Sequence, residues 1–439
     1  MKVLKFGGSS LASAEQFRKV AEIVHAQPER RYVVASAPGK RFSEDTKVTD
    51  MLYNCFRLAS QKQPIDEAFA KIEERYNSII AELGLDFSLE EEYAKIRMAI
   101  RHHAGEDYVA SRGEYLNAMI LAKYLNFAFI DAENGIFFRA DGTFDDARTY
   151  TTLADLLSRT EYAVVPGFYG SMPNGTIKTF SRGGSDITGA IVARAANAAI
   201  YENWTDVSGM LMADPRIVKN PRVIEEITYR ELRELAYMGA TVMHEEAVFP
   251  VQEARIPINI RNTNAPMDPG TMIVPSSTKP SPETIITGVA GRKGFSSITI
   301  EKSKMNTEVG FGRKVMSILE RMGLCFEHIP SGIDSMSVIV STASIASCKN
   351  ELIARIYRDT EADTVSIEDG IALVCAVGRG MVCAKGTAGR IFTAIAKSNI
   401  NIRMIDQFAG EKNIILGVDE ADYAATLQAI YSEFVPEDK

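Results

Sequence analysis

Through its first 275 residues the chain alternates short apolar, β-rich runs with helical stretches, and this alternation narrows the choice of fold more than any other feature. The runs are Val3–Phe6, Tyr32–Ala37, Phe127–Ile130, Ala163–Val165, Ala199–Trp204 and Ile256–Ile260. Strands separated by helices are joined by crossovers, and crossovers build a mainly parallel sheet sandwiched by helices. Asp66–Leu83 and Leu89–His103 read as consecutive helices, an insertion in this plan rather than a separate domain. The Pro/Ser-rich stretch Pro275–Pro282 breaks the rhythm and predicts a linker at 276–284.

Beyond the linker the rhythm returns in shorter units. Strand Ser297–Glu301, helix Val309–Met322, strands Cys325–Ile329 and Met336–Ser341, helix Ile345–Tyr357 and strand Thr364–Glu368 make one ferredoxin-like βαββαβ unit. A second begins at Ile371–Val377 and continues through helix Gly389–Ser398, strands Ile402–Ile405 and Ile414–Val418 and helix Tyr423–Phe434, but lacks its last strand. The unassigned apolar run Ile285–Val289 is the candidate to supply it. The first unit, 295–368, is then inserted within a second made of 285–294 plus 369–439.

A chain of 439 residues is expected to hold two or three domains. Its formal charge of −8 gives no footprint for nucleic acid or an anionic membrane, so a small-molecule ligand is expected. The opening Met1–Lys5 has no signal core and no apolar run approaches the ~18 residues of a membrane span, which predicts a cytoplasmic protein. Five cysteines without metal-site spacing read as reduced thiols, with no zinc, no disulfide and no protein-built metal site.

Lys5-Phe6-Gly7-Gly8-Ser9-Ser10 follows an apolar strand and precedes a helix. Paired glycines at such a turn let backbone N–H groups approach a phosphate, and the helix N-terminus adds partial positive charge. The lysine precedes the glycines, so this is not a Walker A loop, and Lys5 is the point charge for a transferring phosphoryl group. A plain tight turn with a surface lysine is the competing reading. Ser181-Arg182-Gly183-Gly184-Ser185-Asp186 opens a helix rich in small residues. Arg182 suits a carboxylate substrate and Asp186 can orient Lys5 or a water on Mg²⁺, although Ser185 or Asp186 could equally be an N-cap. Trp204–Gly209 and Ala213–Arg216 end a strand in polar residues, where nucleotide contacts or a structural turn are both expected. Ser111-Arg112-Gly113-Glu114 opens a helix, and Glu114 could bind an ammonium group. Ser36 and Thr49 offer hydroxyls that serve as ligand contacts or as caps.

Together with Gly167-Phe168 and Gly239–His244, these motifs resemble in order and spacing those of aspartate kinases in the amino acid kinase superfamily, and the paired C-terminal units resemble ACT domains. The resemblance covers nearly the whole chain. It implies ATP-dependent phosphorylation of the L-aspartate side chain, the first step toward lysine, threonine and methionine. Lys5, Arg182 and Asp186 would be catalytic, and Ser36, Thr49, Glu114, Phe168, Arg182 and Ser185 would hold aspartate. Lys5, Gly7, Gly8, Ser9, Thr205, Asp206, Asp214 and Arg216 would serve the nucleotide, with Mg²⁺ carried on ATP. Two positions depart from the pattern: Thr241 stands where many members have a phosphate-holding lysine, and Leu211 where an aromatic residue is common. Phosphate neutralisation there falls to Arg216 or to a residue elsewhere.

The reacting carboxylate, with an ordinary pKa of about 3.9, is already ionised at neutral pH, so no general base is required. The difficulty is repulsion between two anions, which calls for positioning and positive charge. In the C-terminal half, Met305, Asn306, Gly310, Phe311, Ser331 and Asp334 would contact an amino-acid effector, lysine first and threonine second, across a homo-oligomer formed through the ACT domains. Ordinary strand and helix connections are the alternative for these residues. Gly378-Arg379-Gly380-Met381 and Lys385-Gly386-Thr387 look like a phosphate loop but sit inside the second repeat, as a domain-interface loop would. Two other functions remain open: a glutamate or N-acetylglutamate kinase, opposed by Ser111–Glu114 and the double tail, and an amino-acid-sensing protein without turnover, opposed by Lys5, Arg182 and Asp186.

Overall fold

The structure, a computed structural model, describes residues 1–181, 183–240, 243, 247–276, 285–407, 410 and 412–435. It divides into two compact units, residues 1–210, 223–229 and 242–277 in the first and 211–222, 230–241 and 278–439 in the second. Arg182, Thr241, His244 and most of the expected linker lie outside the described residues.

The first unit runs β1 (Lys2–Phe6), α1 (Ala14–His25), β2 (Arg30–Ala35), α2 (Val48–Ser60), α3 (Asp66–Glu82), α4 (Glu90–Arg101), α5 (Glu106–Leu125), β3 (Ala128–Phe129), α6 (Asp146–Ser158), β4 (Ala163–Pro166), the hairpin β5 (Tyr169–Ser171) and β6 (Ile177–Thr179), α7 (Gly184–Ala195), β7 (Ile200–Thr205) and β8 (Glu226–Thr228). After α8 (Tyr229–Tyr237), which from Arg230 onward belongs to the second unit, come α9 (Phe249–Glu253), β9 (Ile258–Asn262) and β10 (Thr271–Val274).

Among the described residues these strands form an eight-stranded sheet in the order β3-β4-β2-β1-β7-β9-β10-β8, parallel except for the β9–β10 pair. Leu4 and Phe6 point to one face of β1, into a core with Phe17 and Val20 of α1, Leu52 of α2, Phe69, Ile72 and Tyr76 of α3, Tyr93 of α4 and Leu116 of α5. The consecutive helices α3 and α4 therefore share the sheet's own core. Val3 and Lys5, one residue out of phase, point to the opposite face, against which α7 packs. The small residues of α7 make this approach close: a side chain at Gly189 would collide with the Tyr201 ring.

In the second unit β11 (Gly288–Glu301), α10 (Phe311–Arg321), β12 (Ser335–Ser341), α11 (Thr342–Ile345), α12 (Lys349–Thr360), β13 (Thr364–Val377), α13 (Thr387–Lys397), β14 (Met404–Asp406), β15 (Asn413–Asp419) and α14 (Tyr423–Phe434) follow in order. Their strands form one antiparallel sheet, β12-β11-β13-β15-β14. Of the expected strand Ile285–Val289 only Gly288 and Val289 are strand, and they are joined with Ser297–Glu301 in β11; Thr364–Glu368 and Ile371–Val377 are joined in β13. Gly288–Arg292 pairs with 373–377, and Ser297–Glu301 pairs with 364–368. Gly294 and Gly370, at φ of 91° and 80°, take left-handed conformations where the ladder shifts register, so the strands continue through a turn-like sequence.

The expected strand Cys325–Ile329 does not form. His328 makes an isolated bridge to Ile339 and Ser331 another to Met336. Between them Pro330 accepts from Ser337 N at 2.8 Å but has no N–H to return, which ends the ladder. The phosphate-loop-like segment at Gly378 is instead held by Glu231 of α8, whose carboxylate accepts from Arg379 N and Nη1, both at 2.9 Å, and from Thr287 Oγ1 at 2.7 Å.

Candidate active site

The neighbouring strands β2, β1 and β7 end on the same edge of the sheet, at Ser36–Gly39, Gly7–Ser9 and Asp206 respectively. Ligands of open α/β sheets bind at the carboxyl ends of strands, and here a cavity of about 520 Å³ opens within the first unit. Lys5, Gly7, Gly8, Ser9, Ser36, Thr49, Glu114, Ser185, Asp186, Thr205 and Asp206, all expected from sequence, line it.

At its floor Lys5 Nζ lies 2.6 Å from Asp186 Oδ1 in the first turn of α7. Asn203, the register partner of Lys5 on β7, donates from Nδ2 to the same oxygen at 2.9 Å. Tyr201 OH donates to the Asp186 carbonyl at 3.2 Å. The aspartate is thus fixed from three sides, and it fixes Lys5, which is only 7% exposed. A side chain on Gly7 would come within 3.6 Å of Lys5 Nζ, so the ammonium stands beside the glycine turn. Gly39 N donates to Gly8 O at 2.8 Å, and a Cβ on Gly39 would lie 2.7 Å from Gly8 C, so the chain after β2 rests directly on that turn.

Glu114 reaches the cavity from α5, a helix buried on nearly every side. Gly113 lets Ala37 pack against α5, since a Cβ there would meet Ala37 Cβ at 2.9 Å, and Asn117 Nδ2 donates to Ser36 O at 2.7 Å. Burial pushes the Glu114 carboxyl up to about 8; bonds from backbone N–H groups of Ala37 and Glu114, then the charges of Arg112 and Lys5, pull the other way without cancelling it. Its Oε2 has no hydrogen-bond partner among the described residues. A buried, unpartnered carboxyl oxygen facing a cavity is suited to a cation delivered by a ligand.

Phe168 stands behind the lining rather than in it. At φ 82° it is strained for a non-glycine residue, held by its N–H to Thr188 Oγ1 at 3.0 Å and its carbonyl to Phe180 N at 2.9 Å. Its ring covers Gly184, and the backbone at Gly167 covers Ser185, where a Cβ would come within 2.6 Å of Oγ. Asp214 and Arg216 belong to the second unit and bond to each other, Nη2 to Oδ2 at 2.6 Å, and the Arg216 contact holds the Asp214 carboxyl below the usual range. Also in the second unit, Asn306 N donates to Ile333 O at 3.0 Å and Lys304 N to Asp334 Oδ1 at 2.8 Å, which brings the Met305–Phe311 and Ser331–Asp334 segments together. Met305 and Phe311 bury their side chains in the local core, and their backbone N–H groups donate to Lys302 O at 3.1 Å and Glu308 O at 3.3 Å.

Sequence reasoning missed Lys40, Lys47 and Asn203, which also line the cavity. A polar residue inside an apolar strand is a signal for Asn203 once β1 and β7 are known to be neighbours. The two lysines carry none, because they lie in a polar loop like many others.

A model of the amino acid kinase family matches residues 1–262 and one of the ACT domain matches 374–434. Aspartokinase 3 of Bacillus subtilis is 40% identical, covering 99% of this chain and 98% of its own. The crystal structure of Clostridium acetobutylicum aspartate kinase superposes with a TM-score of 0.93 at 50% identity, over 99% of this chain and 100% of that one. Escherichia coli aspartokinase III is 25% identical over 99% of both chains, in a complex with aspartate and ADP (R-state, TM-score 0.74) and in one with lysine and aspartate (T-state, TM-score 0.73).

Proposed function

The chain belongs to the aspartokinases of the amino acid kinase family, nucleotide-dependent enzymes that phosphorylate the side-chain carboxylate of aspartate, and on that premise we propose how its residues divide the work. The observation that carries the assignment is the Lys5–Asp186 pair, pinned by Asn203 and Tyr201 beside the glycine turn in a cavity that also holds the unpartnered Glu114 oxygen. Lys5 stabilises the transferring phosphoryl group and Asp186 keeps its ammonium aimed there, so no reorganisation is needed when charge builds up. Glu114 receives the ammonium of aspartate, losing its proton as it does so. Ser36, Thr49, Ser185 and Arg182 hold the substrate's carboxylates, and Phe168 shapes that side through its backbone. Gly7, Gly8, Ser9, Thr205, Asp206, Asp214 and Arg216 serve the nucleotide.

No cluster of three or more His, Cys, Asp or Glu able to cage a metal occurs among the described residues. Asp186 and Asp206, hard oxygen donors lining the cavity, are the residues that would hold a Mg²⁺ brought in with the nucleotide. Bound there, the ion would neutralise phosphate charge.

We propose further that the chain is organised as a catalytic domain (1–275), a linker (276–284) and two ACT domains (295–368, and 285–294 with 369–439), is cytoplasmic, and associates through the ACT domains into a homo-oligomer. Among the described residues no helix is long and apolar enough to cross a membrane. Lysine is the first candidate effector, supported by the lysine complex of the E. coli enzyme, and threonine the second. The effector would act by shifting a two-state equilibrium that moves the active-site segments.

Trapping the acyl phosphate with hydroxylamine tests the assignment, with aspartate, glutamate and N-acetylglutamate as acceptors and with lysine or threonine added. Aspartate-specific turnover lost in Lys5→Ala is the expected result. Activity that survives that change would remove Lys5 from the role given to it.

A further inference from the structure

The cavity wall between β2 and α2 is a loop, residues 38–47, that carries two lysines into the site and is fastened at both ends by one buried side chain. Arg75 of α3, 3% exposed, donates from Nη1 to Gly39 O and Ala12 O, each at 3.3 Å, and from Nη2 to Thr46 O at 3.2 Å and Asp45 Oδ2 at 2.6 Å. Asp45 in turn accepts from Arg41 N at 3.0 Å and Nε at 2.9 Å, and that contact with Arg41 holds its carboxyl well below the usual range. The two loop carbonyls that Arg75 grips belong to Gly39 and Thr46, and the residues that follow them are Lys40 and Lys47. Gly39 is also the residue that rests on the Gly8 carbonyl.

Lys5 is committed to Asp186. Among the described residues Lys40 bonds only a carbonyl, Ser43 O at 3.0 Å, which leaves its charge without a carboxylate partner there, and Lys47 has no carboxylate partner. These are the uncommitted cations of a cavity that must receive a polyphosphate.

We infer that Lys40 and Lys47 supply the counter-charge for the nucleotide's polyphosphate over the glycine turn, and that Arg75, acting through Asp45 and the loop backbone, is the positioning residue that keeps them there. This rests on the aspartokinase reading and adds to it two nucleotide contacts and a support from a helix outside the cavity wall.

The test measures MgATP binding to the full chain by calorimetry, alongside aspartate-dependent turnover, for K40A/K47A, K40R/K47R, R75A, D45N and R75A in the double-lysine background. A charge-assisted hydrogen bond corresponds to roughly a tenfold change in affinity or more. K40A/K47A should therefore weaken MgATP binding about 100-fold and flatten its salt dependence, while K40R/K47R restores most of it. R75A should reproduce much of the loss, and D45N a smaller part of it. R75A should add less than about twofold when the lysines are already gone, a coupling that a defect in folding alone would not produce. Unchanged MgATP affinity in K40A/K47A, a loss confined to the KM of aspartate, or an R75A effect that multiplies fully with the lysine changes would each overturn the inference. If the unaltered chain bound MgATP without turning over aspartate, the aspartokinase reading would fall, while the affinities would still decide the role of the lysines.

Discussion

Replacing Glu114 with glutamine keeps the shape of the side chain and removes its proton equilibrium, so it isolates the effect of burying this carboxyl. In the folded chain without ligand the group titrates near 8, against an ordinary value of 4.5. Between these values the folded state holds a proton that the unfolded state has released, so raising the pH favours unfolding. The slope is about 1.4 kcal/mol per pH unit, or roughly 2–3 kcal/mol from pH 5 to pH 7; it vanishes above pH 8, where both states are ionised. Glu114→Gln has no such contribution, so its stability relative to the parent should climb by that amount over the same window and then level off. Trp204, the single tryptophan and fully buried in the first unit, reports unfolding of the unit that contains Glu114. Urea titrations followed at Trp204 fluorescence, at pH 5, 6, 7 and 8, measure the difference directly. A ligand ammonium that ionises Glu114 also makes aspartate affinity rise with pH up to about 8 and makes binding release a proton; both dependences should be lost in Glu114→Gln. Parallel stability curves for the two proteins from pH 5 to pH 8 would refute the account of Glu114.

Lys5→Met should reduce acyl-phosphate formation by about 10²–10³-fold while weakening MgATP binding far less, because the charge is aimed at the transferring group; equal losses in both would place Lys5 in ground-state binding instead. Gly39→Ala puts a Cβ within 2.7–2.9 Å of Gly8 and Ser9 backbone atoms, which cannot retreat as a flexible side chain does, and should cost about 1–3 kcal/mol by Trp204-monitored unfolding together with most of the turnover. Lysine added at millimolar concentration should lower the rate with aspartate and raise the melting temperature of the second unit. No change with lysine or with threonine would remove the sensing role of the C-terminal half.

The parallel core was legible because each of its strands is an apolar run bounded by polar turns, and because the site residues follow those runs directly: Lys5 and Gly7 at the end of β1, Ser36 after β2, Thr205 and Asp206 at the end of β7. Long-range geometry was not legible. Nothing local indicates that Asn203 stands opposite Lys5, or that Arg75, some thirty residues beyond Asp45, closes over the loop that contains Asp45. In the C-terminal half the strands expected to end before Gly294 and Gly370 and to begin again after them are continuous, because the ladder passes these glycines with a shift of register. The Cys325–Ile329 run misled in the other direction. It has the apolar character of a strand, but the proline that follows supplies no donor, and only isolated bridges form.

The continuous β11–β13 ladder also sets a timetable for synthesis. Gly288–Arg292 leaves the ribosome about 80 residues before its partner 373–377 exists, and β15, which flanks that partner, follows later still. At about 5–20 residues per second the segment waits several seconds with an unpaired edge, while Ser297–Glu301 of the same strand can already pair with β12 and, soon after, with 364–368. A chain cut short near residue 370 would therefore carry the paired 297–301 and 364–368 segments preceded by an open strand, 288–292, a template for pairing with other chains. Only the last seventy residues close it.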